Sequence, residues 1–145
     1  MTMVEIMKKR QAYCSCHLDM PGELQQKAKK LCWQYNQTGP EEGERRKEIL
    51  QQLLGDCHPL TFIEPSFHCD YGFNIHTAGL TVINYNCVIL DTSPVYIGEN
   101  AFIAPGVWPD TPWTRNSVGR ALALPHPSPL AKMCGSGPTP PSAAE

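Results

Sequence analysis

A six-residue spacing constrains this chain more than any other feature. Ile63, Cys69, Ile75, Thr81 and Cys87 each follow the last by six residues. After an interruption, Ile97 and Ile103 are again six apart. All are small or aliphatic. From Leu60 onward β-branched and aromatic residues dominate and no helical period survives. A six-residue repeat is the signature of a β-helix, in which three hexapeptides make one triangular coil. The repeated residue points inward and stacks on its equivalents above and below. Such a solenoid needs several coils and a terminal cap.

The residues ahead of the repeat supply that cap. Met3 to Tyr13 predicts a short helix. Met20-Pro21-Gly22-Glu23 opens a clearer one, with Pro near the first turn. Leu24, Ala28, Leu31 and Tyr35 fall at helical spacing along it. Gly39-Pro40 breaks the chain, and Glu41 and Glu42 suit the positive end of the next helix. Ile49, Leu53 and Leu54 form its apolar face, and Gly55 stops it.

Three stretches resemble the maltose/galactoside O-acetyltransferase family. One is Ala28-Lys29-Lys30-Leu31-Cys32-Trp33-Gln34-Tyr35-Asn36, in the helical part. Another runs from Ile63-Glu64-Pro65-Ser66-Phe67-His68-Cys69-Asp70 through Tyr71-Gly72-Phe73-Asn74-Ile75-His76. The third joins Asn84-Tyr85-Asn86-Cys87-Val88-Ile89-Leu90-Asp91 to Val95-Tyr96-Ile97-Gly98-Glu99-Asn100-Ala101-Phe102-Ile103-Ala104-Pro105-Gly106-Val107. The resemblance covers Met1 to Val107. It implies a mostly β fold: a truncated left-handed parallel β-helix behind an α-helical N-terminal cap. The layout it implies is a cap over 1–56 and hexapeptide coils over 57–107; residues 108–145 fall outside it and read by composition as an irregular, disordered tail. Members of the family assemble as trimers, bind acetyl-CoA between subunits and acetylate a sugar hydroxyl of the maltose, glucose or galactoside type. A histidine is the general base, because a hydroxyl is a poor nucleophile until a positioned base takes its proton.

By motif match, Asp70 and Asn84 are acceptor-pocket residues and Asp91 stands where the family has an acidic group on the pocket wall. Asp19 matches a cap aspartate that reaches the acceptor, with His17 competing for that position. Thr77-Ala78-Gly79 replaces the family's usual Ile-Gly and is expected to disturb one coil. Asx residues at coil corners are also ordinary turn formers, and without the resemblance that would be the reading of Asp70, Asn84 and Asp91.

After Val107 the pattern is lost. Most of the fourteen prolines lie between Pro105 and Pro141. The family continues instead with a Gly-His-Pro-Leu-Asp segment holding its base, then a Pro-Ile-Thr-Ile-Gly coil and the coils that bind acetyl-CoA. The genetic code reconciles the two. The third base of each codon, read with the first two of the next, lets Pro109 to Val118 encode Gly-His-Pro-Leu-Asp-Ala-Glu-Gln-Arg. Its Asp is compelled, since Trp113 has a single codon and Thr114 begins with AC. The same shift lets His126 to Gly137 encode Pro-Ile-Thr-Ile-Gly-Glu-Asn-Val-Trp-Ile-Gly, its Val compelled by Met133. The tail is therefore expected to be the family's second half read out of frame. No catalytic base remains in this frame.

Other readings are weaker. His58, His68 and His76 suggest a zinc enzyme on a β-helix, but their neighbours are those of the acetyltransferase blocks. Cys14-x-Cys16-His17 is half a metal site without a second pair. No metal is expected. Seven cysteines without a secretion signal are expected to stay reduced. A net charge of −2 and the lack of a basic stripe argue against nucleic acid. No apolar run suits a membrane span, so the chain is expected to be cytoplasmic.

Overall fold

The structure is a computed structural model and describes residues 1–9, 13, 17–106 and 121–122. Three helices come first: α1 (Met3–Met7), α2 (Gly22–Asn36) and α3 (Gly43–Leu53). Thr2 caps α1 through a capping box with Glu5, and Lys8 closes the helix sooner than the expected Tyr13. Pro21 sits at the N-cap of α2, where its missing N–H is of no consequence. Ala28, Leu31, Cys32 and Tyr35 are the buried face of α2. Ile49, Leu50 and Leu53 are that of α3. Gly55 then turns the chain where no side chain fits, since a Cβ there would lie 2.2 Å from the Phe73 carbonyl oxygen.

Seven strands of three residues follow: β1 (Thr61–Ile63), β2 (Phe67–Cys69), β3 (Ile75–Thr77), β4 (Thr81–Ile83), β5 (Cys87–Ile89), β6 (Val95–Ile97) and β7 (Ala101–Ile103). A two-residue strand, β8 (Ala121–Leu122), pairs with β6. All pairing is parallel, in three sheets: β1-β4-β7, β2-β5 and β3-β6-β8. The chain thus winds as a three-sided parallel β-helix. The expected irregular tail over 108–145 lies outside the described residues, apart from β8.

The register corrects the simple hexapeptide picture. Partners are twenty residues apart, as in Thr61↔Thr81↔Ala101 and Phe67↔Cys87. Each coil is two residues longer than three hexapeptides. The extra residues lie at the corner after β2, residues 70–74, and again at the corner after β5, residues 90–94. Both the first and the third residue of β1 to β6 point inward. The six-residue series hops between these two columns. Ile63 and Cys69 are third positions, Ile75, Thr81 and Cys87 are first positions, and Ile97 and Ile103 are third again. All seven are buried, but the stacks are Ile63–Ile83–Ile103, Cys69–Ile89 and Ile75–Val95.

Thr77 does not disturb its coil. It is buried, its hydroxyl lies 2.8 Å from that of Thr61, and it accepts the His58 N–H at 2.8 Å. Here the first coil meets the incoming chain, and a hydroxyl satisfies groups that an isoleucine would leave unpaired.

The helices close the upper rim of the solenoid. The Asn36 side chain accepts the Phe67 N–H at 2.9 Å and donates to the Phe67 carbonyl at 3.0 Å, imitating a neighbouring strand. Tyr35 donates its hydroxyl to the Ile63 carbonyl. Residues 55 and 56 pair with β3: Gly55 N–H donates to Ile75 O and Thr77 N–H donates to Asp56 O. The Cys32 thiol meets the Cys69 thiol at 3.6 Å, so α2 plugs the apolar interior. Among the described residues Cys32, Cys57, Cys69 and Cys87 are thiols outside any disulfide.

Candidate functional site

Asp70 follows β2 at the enlarged corner and is half-buried. Burial pushes its carboxyl up, while the charge of Lys29 and a hydrogen bond from Gln25 pull it down. Both opposing groups come from α2, one helical turn apart, and Lys29 Nζ donates to Gln25 Oε1 at 3.4 Å. An acceptor with a negative charge, an amide and an ammonium beside it is suited to polyhydroxyl ligands.

Asp91 lies one coil below, across from Tyr71 by the register of β2 and β5. It is fully buried. Its Oδ1 accepts the N–H groups of Asp70 at 3.0 Å and Tyr71 at 2.8 Å, and its Oδ2 that of Asn74 at 3.3 Å. Burial pushes its pKa up to about 6 against the pull of these N–H groups. The structure thus turns Asp91 into the wall and away from its face. Asn84 stands at a different corner, after β4, half-buried. Its backbone and side-chain N–H groups both donate to Ile103 O, at 3.0 and 3.2 Å. Asp19 is exposed on a 3₁₀ turn, His17–Asp19, just ahead of α2.

One chain therefore brings Asp70 and Asp91 together and holds Asn84 at another corner of the prism. Sequence reasoning missed Gln25 and Lys29, whose i, i+4 spacing on α2 was the available signal. It also missed Asn74, which is fully buried and donates Nδ2 to Asp91 O at 2.9 Å. A cleft of about 70 Å³ lies between the helices and this corner, lined by Leu24, Ala28, Leu31, Leu53, Tyr71 and Phe73 among others. That is well below the roughly 300 Å³ at which ligand pockets begin. Among the described residues no group of three or more His, Cys, Asp or Glu is gathered to hold a metal ion, and no helix is long and apolar enough to cross a membrane.

A helical cap sealing a twenty-residue parallel coil matches known proteins. The maltose acetyltransferase hexapeptide capping motif matches residues 22–58. Among solved structures, a maltose O-acetyltransferase from Clostridium difficile superposes with a TM-score of 0.64 at 33% identity, over 74% of this chain and 57% of that one. Over residues 22–58 the chain carries the capping motif of maltose acetyltransferases, and it is similar to acetyltransferases of the maltose and galactoside type. Curated relatives are similar to it over part of their length. Nodulation protein L of Rhizobium meliloti is 38% identical over 99 residues, 62% of this chain and 54% of that protein. The galactoside O-acetyltransferase of Escherichia coli is 32% identical over 85 residues, 59% of this chain and 42% of that one. A hexapeptide-repeat acetyltransferase from Vibrio cholerae, solved in complex with acetyl coenzyme A, superposes with a TM-score of 0.64 at 30% identity, over 74% of this chain and 57% of that one. The chain spans about half the length of the curated relatives it matches, or less.

Proposed function

We propose that this chain is the acceptor-binding part of an acetyl-CoA-dependent sugar O-acetyltransferase, left-handed in its winding and interrupted in frame after Val107. The carrying observation is Asp70, a half-buried carboxylate presented at a coil corner and flanked by Gln25 and Lys29 of the capping helix. A carboxylate in that setting accepts strong hydrogen bonds from sugar hydroxyls. Asn84 contributes a second polar contact and Asp19 a third from the cap.

Asp70 and Asn84 occupy different corners, so a site using both is completed by a second copy of the chain. This supports a homotrimer with acceptor sites between subunits. The outward residues of β1 and β7, Phe62 and Phe102, are aligned through Val82 and are 50% and 58% exposed, which suits a surface covered by a neighbouring copy. Acetyl-CoA would supply the acetyl group as its thioester. The acetyl passes to the sugar oxygen, and the hydroxyl proton, taken by a base, ends on the coenzyme A thiol. Nothing among the described residues is assigned to that base or to the coenzyme. The family's histidine falls within the stretch here read as Pro109 to Val118, and loss of a general base alone costs ~10²–10⁴-fold. The chain as encoded is then inactive, a cytoplasmic protein that takes neither nucleic acid nor a metal.

A second reading is a non-catalytic sugar-binding or oligomerisation module. It is favoured by the sequence: Asp19, Asp70 and Asn84 are encoded in this frame and the family's histidine segment is not. Resequencing the gene across codons 100 to 145 decides the frame. The expected result is that the shifted segments Gly-His-Pro-Leu-Asp and Pro-Ile-Thr-Ile-Gly are encoded, and that restoring the frame yields acetyl-CoA turnover with maltose or a galactoside. DNA that cannot encode them overturns the interruption. A restored frame without turnover leaves the binding module.

A further inference from the structure

The geometry assigns Asp91 as the positioning residue that sets Asp70 in the acceptor pocket, acting through the backbone of the 70–74 corner and without touching the sugar. This rests on the acceptor reading of Asp70. Asp91 has no exposed surface, and both of its oxygens are engaged by N–H groups of residues 70, 71 and 74. A group so placed has no oxygen to offer a ligand in the pocket. It controls the turn that carries Asp70, because one of the N–H groups it holds is that of Asp70 itself.

The surrounding corner closes the inner side of that turn, so its way to relax is outward. Gly72 has φ +75, and a Cβ there would stand 2.2 Å from the Leu53 carbonyl oxygen. The corner is pressed against the end of α3. Asn74 reinforces it from the other side, donating Nδ2 to the carbonyls of Asp91 at 2.9 Å and of Met7 at 3.4 Å. Asp91 can reach these amides because each coil carries its extra residues at this corner, which places the second coil's loop under the first's. Removing the carboxylate strands three buried or half-buried donors. The turn then relaxes outward to hydrate them, and Asp70 leaves Gln25 and Lys29.

The test uses the full chain, titrated with maltose and with methyl β-galactoside, alongside carboxyl NMR titration of Asp70. Asp70→Asn and Asp91→Ala are each expected to weaken sugar binding by about tenfold, the loss of a hydrogen bond involving a charged group. The double variant is expected to be no weaker than either. In Asp91→Ala the Asp70 titration midpoint moves down as the carboxyl becomes hydrated. Asp91→Asn keeps an oxygen for residues 70 and 71, so it retains most of the binding and accelerates amide exchange at Asn74 alone.

Additive losses in the double variant would give Asp91 its own sugar contact and overturn the assignment. So would an Asp70 midpoint indifferent to Asp91→Ala. If Asp91→Ala does not fold, unchanged exchange at Asn74 in Asp91→Asn overturns it instead. If the unsubstituted chain binds neither sugar, the acceptor reading fails, while the Asp70 midpoint still reports whether Asp91 positions that residue.

Discussion

The two rims of the solenoid are finished by different means. At the upper rim every side of the first coil has a partner outside the repeat: Tyr35 for β1, Asn36 for β2 and residues 55–56 for β3. At the lower rim β5 and β7 have, among the described residues, a strand on one side alone. Gly106 N–H reaches back to Tyr85 O, and the Cys87 thiol donates to Ala104 O, but these are turn contacts rather than a ladder. The difference teaches that the cap does for this fold what a further coil does elsewhere. It supplies backbone partners one at a time from side chains and plugs the interior with a thiol and an aromatic ring. A rim without such a device is an edge of the kind that pairs with other chains.

The comparison is broken most severely within one inward stack. Ile63 and Ile103 sit at opposite ends of the Ile63–Ile83–Ile103 column and are both buried. Ile63→Ala is expected to cost ~3–5 kcal/mol and Ile103→Ala ~2 kcal/mol or less, because a frayed rim collapses around a cavity more readily than a sealed one. Urea denaturation of the two variants measures this, and equal losses would mean that the rims are equally ordered.

The next effect is one of pH. Asp91's folded value of about 6 lies above its ordinary 3.8, so between those values the folded chain keeps a proton that the unfolded chain has released. Its contribution to stability is complete below about pH 4 and is lost as pH rises through about 6, on the order of 2–3 kcal/mol. Asp70, also raised by burial, acts in the same direction. Denaturation midpoints at several pH values should show the fall, and Asp91→Asn should flatten it.

Asn36→Ala sharpens the contrast at a single strand. It leaves the Phe67 N–H and carbonyl without partners and is expected to cost ~1–3 kcal/mol. Faster amide exchange confined to Phe67 and its neighbours would show that the loss is at the rim. The smallest expected effect is that of Glu44→Ala. It breaks an exposed pair with Lys47, 2.9 Å apart and three residues away on α3, and should shift stability by less than ~0.5 kcal/mol.

The cap and the coils were legible in the sequence because both follow from apolar spacing. Ala28, Leu31 and Tyr35 mark a helix face, and Ile63, Cys69 and Ile103 are inward residues of a repeat. The length of the coil was not legible. First and third strand positions are equally buried, so a two-residue slip moves the series from one column to the other without breaking its six-residue beat. Asp70 was named from the motif, but the side chains beside it, Gln25 and Lys29, are remote in sequence and are identified by packing alone. Asp91 was named beside Asp70 because it stands where the family has an acidic group on the pocket wall. What separates them is burial beneath another coil's amides, which no local pattern states. The corners of Asp70 and Asn84 were indistinguishable for the same reason as the coil length.

The Asn36 clamp on β2 has a consequence for how the chain is made. Synthesis proceeds from the N-terminus, and α2 leaves the ribosome before any strand. When Phe67 emerges, the residue whose amide will hold its backbone has already been made, so the first coil can close on the cap before the second is complete. Winding has a built-in direction: each new coil has one surface to land on, and the lid prevents growth from behind.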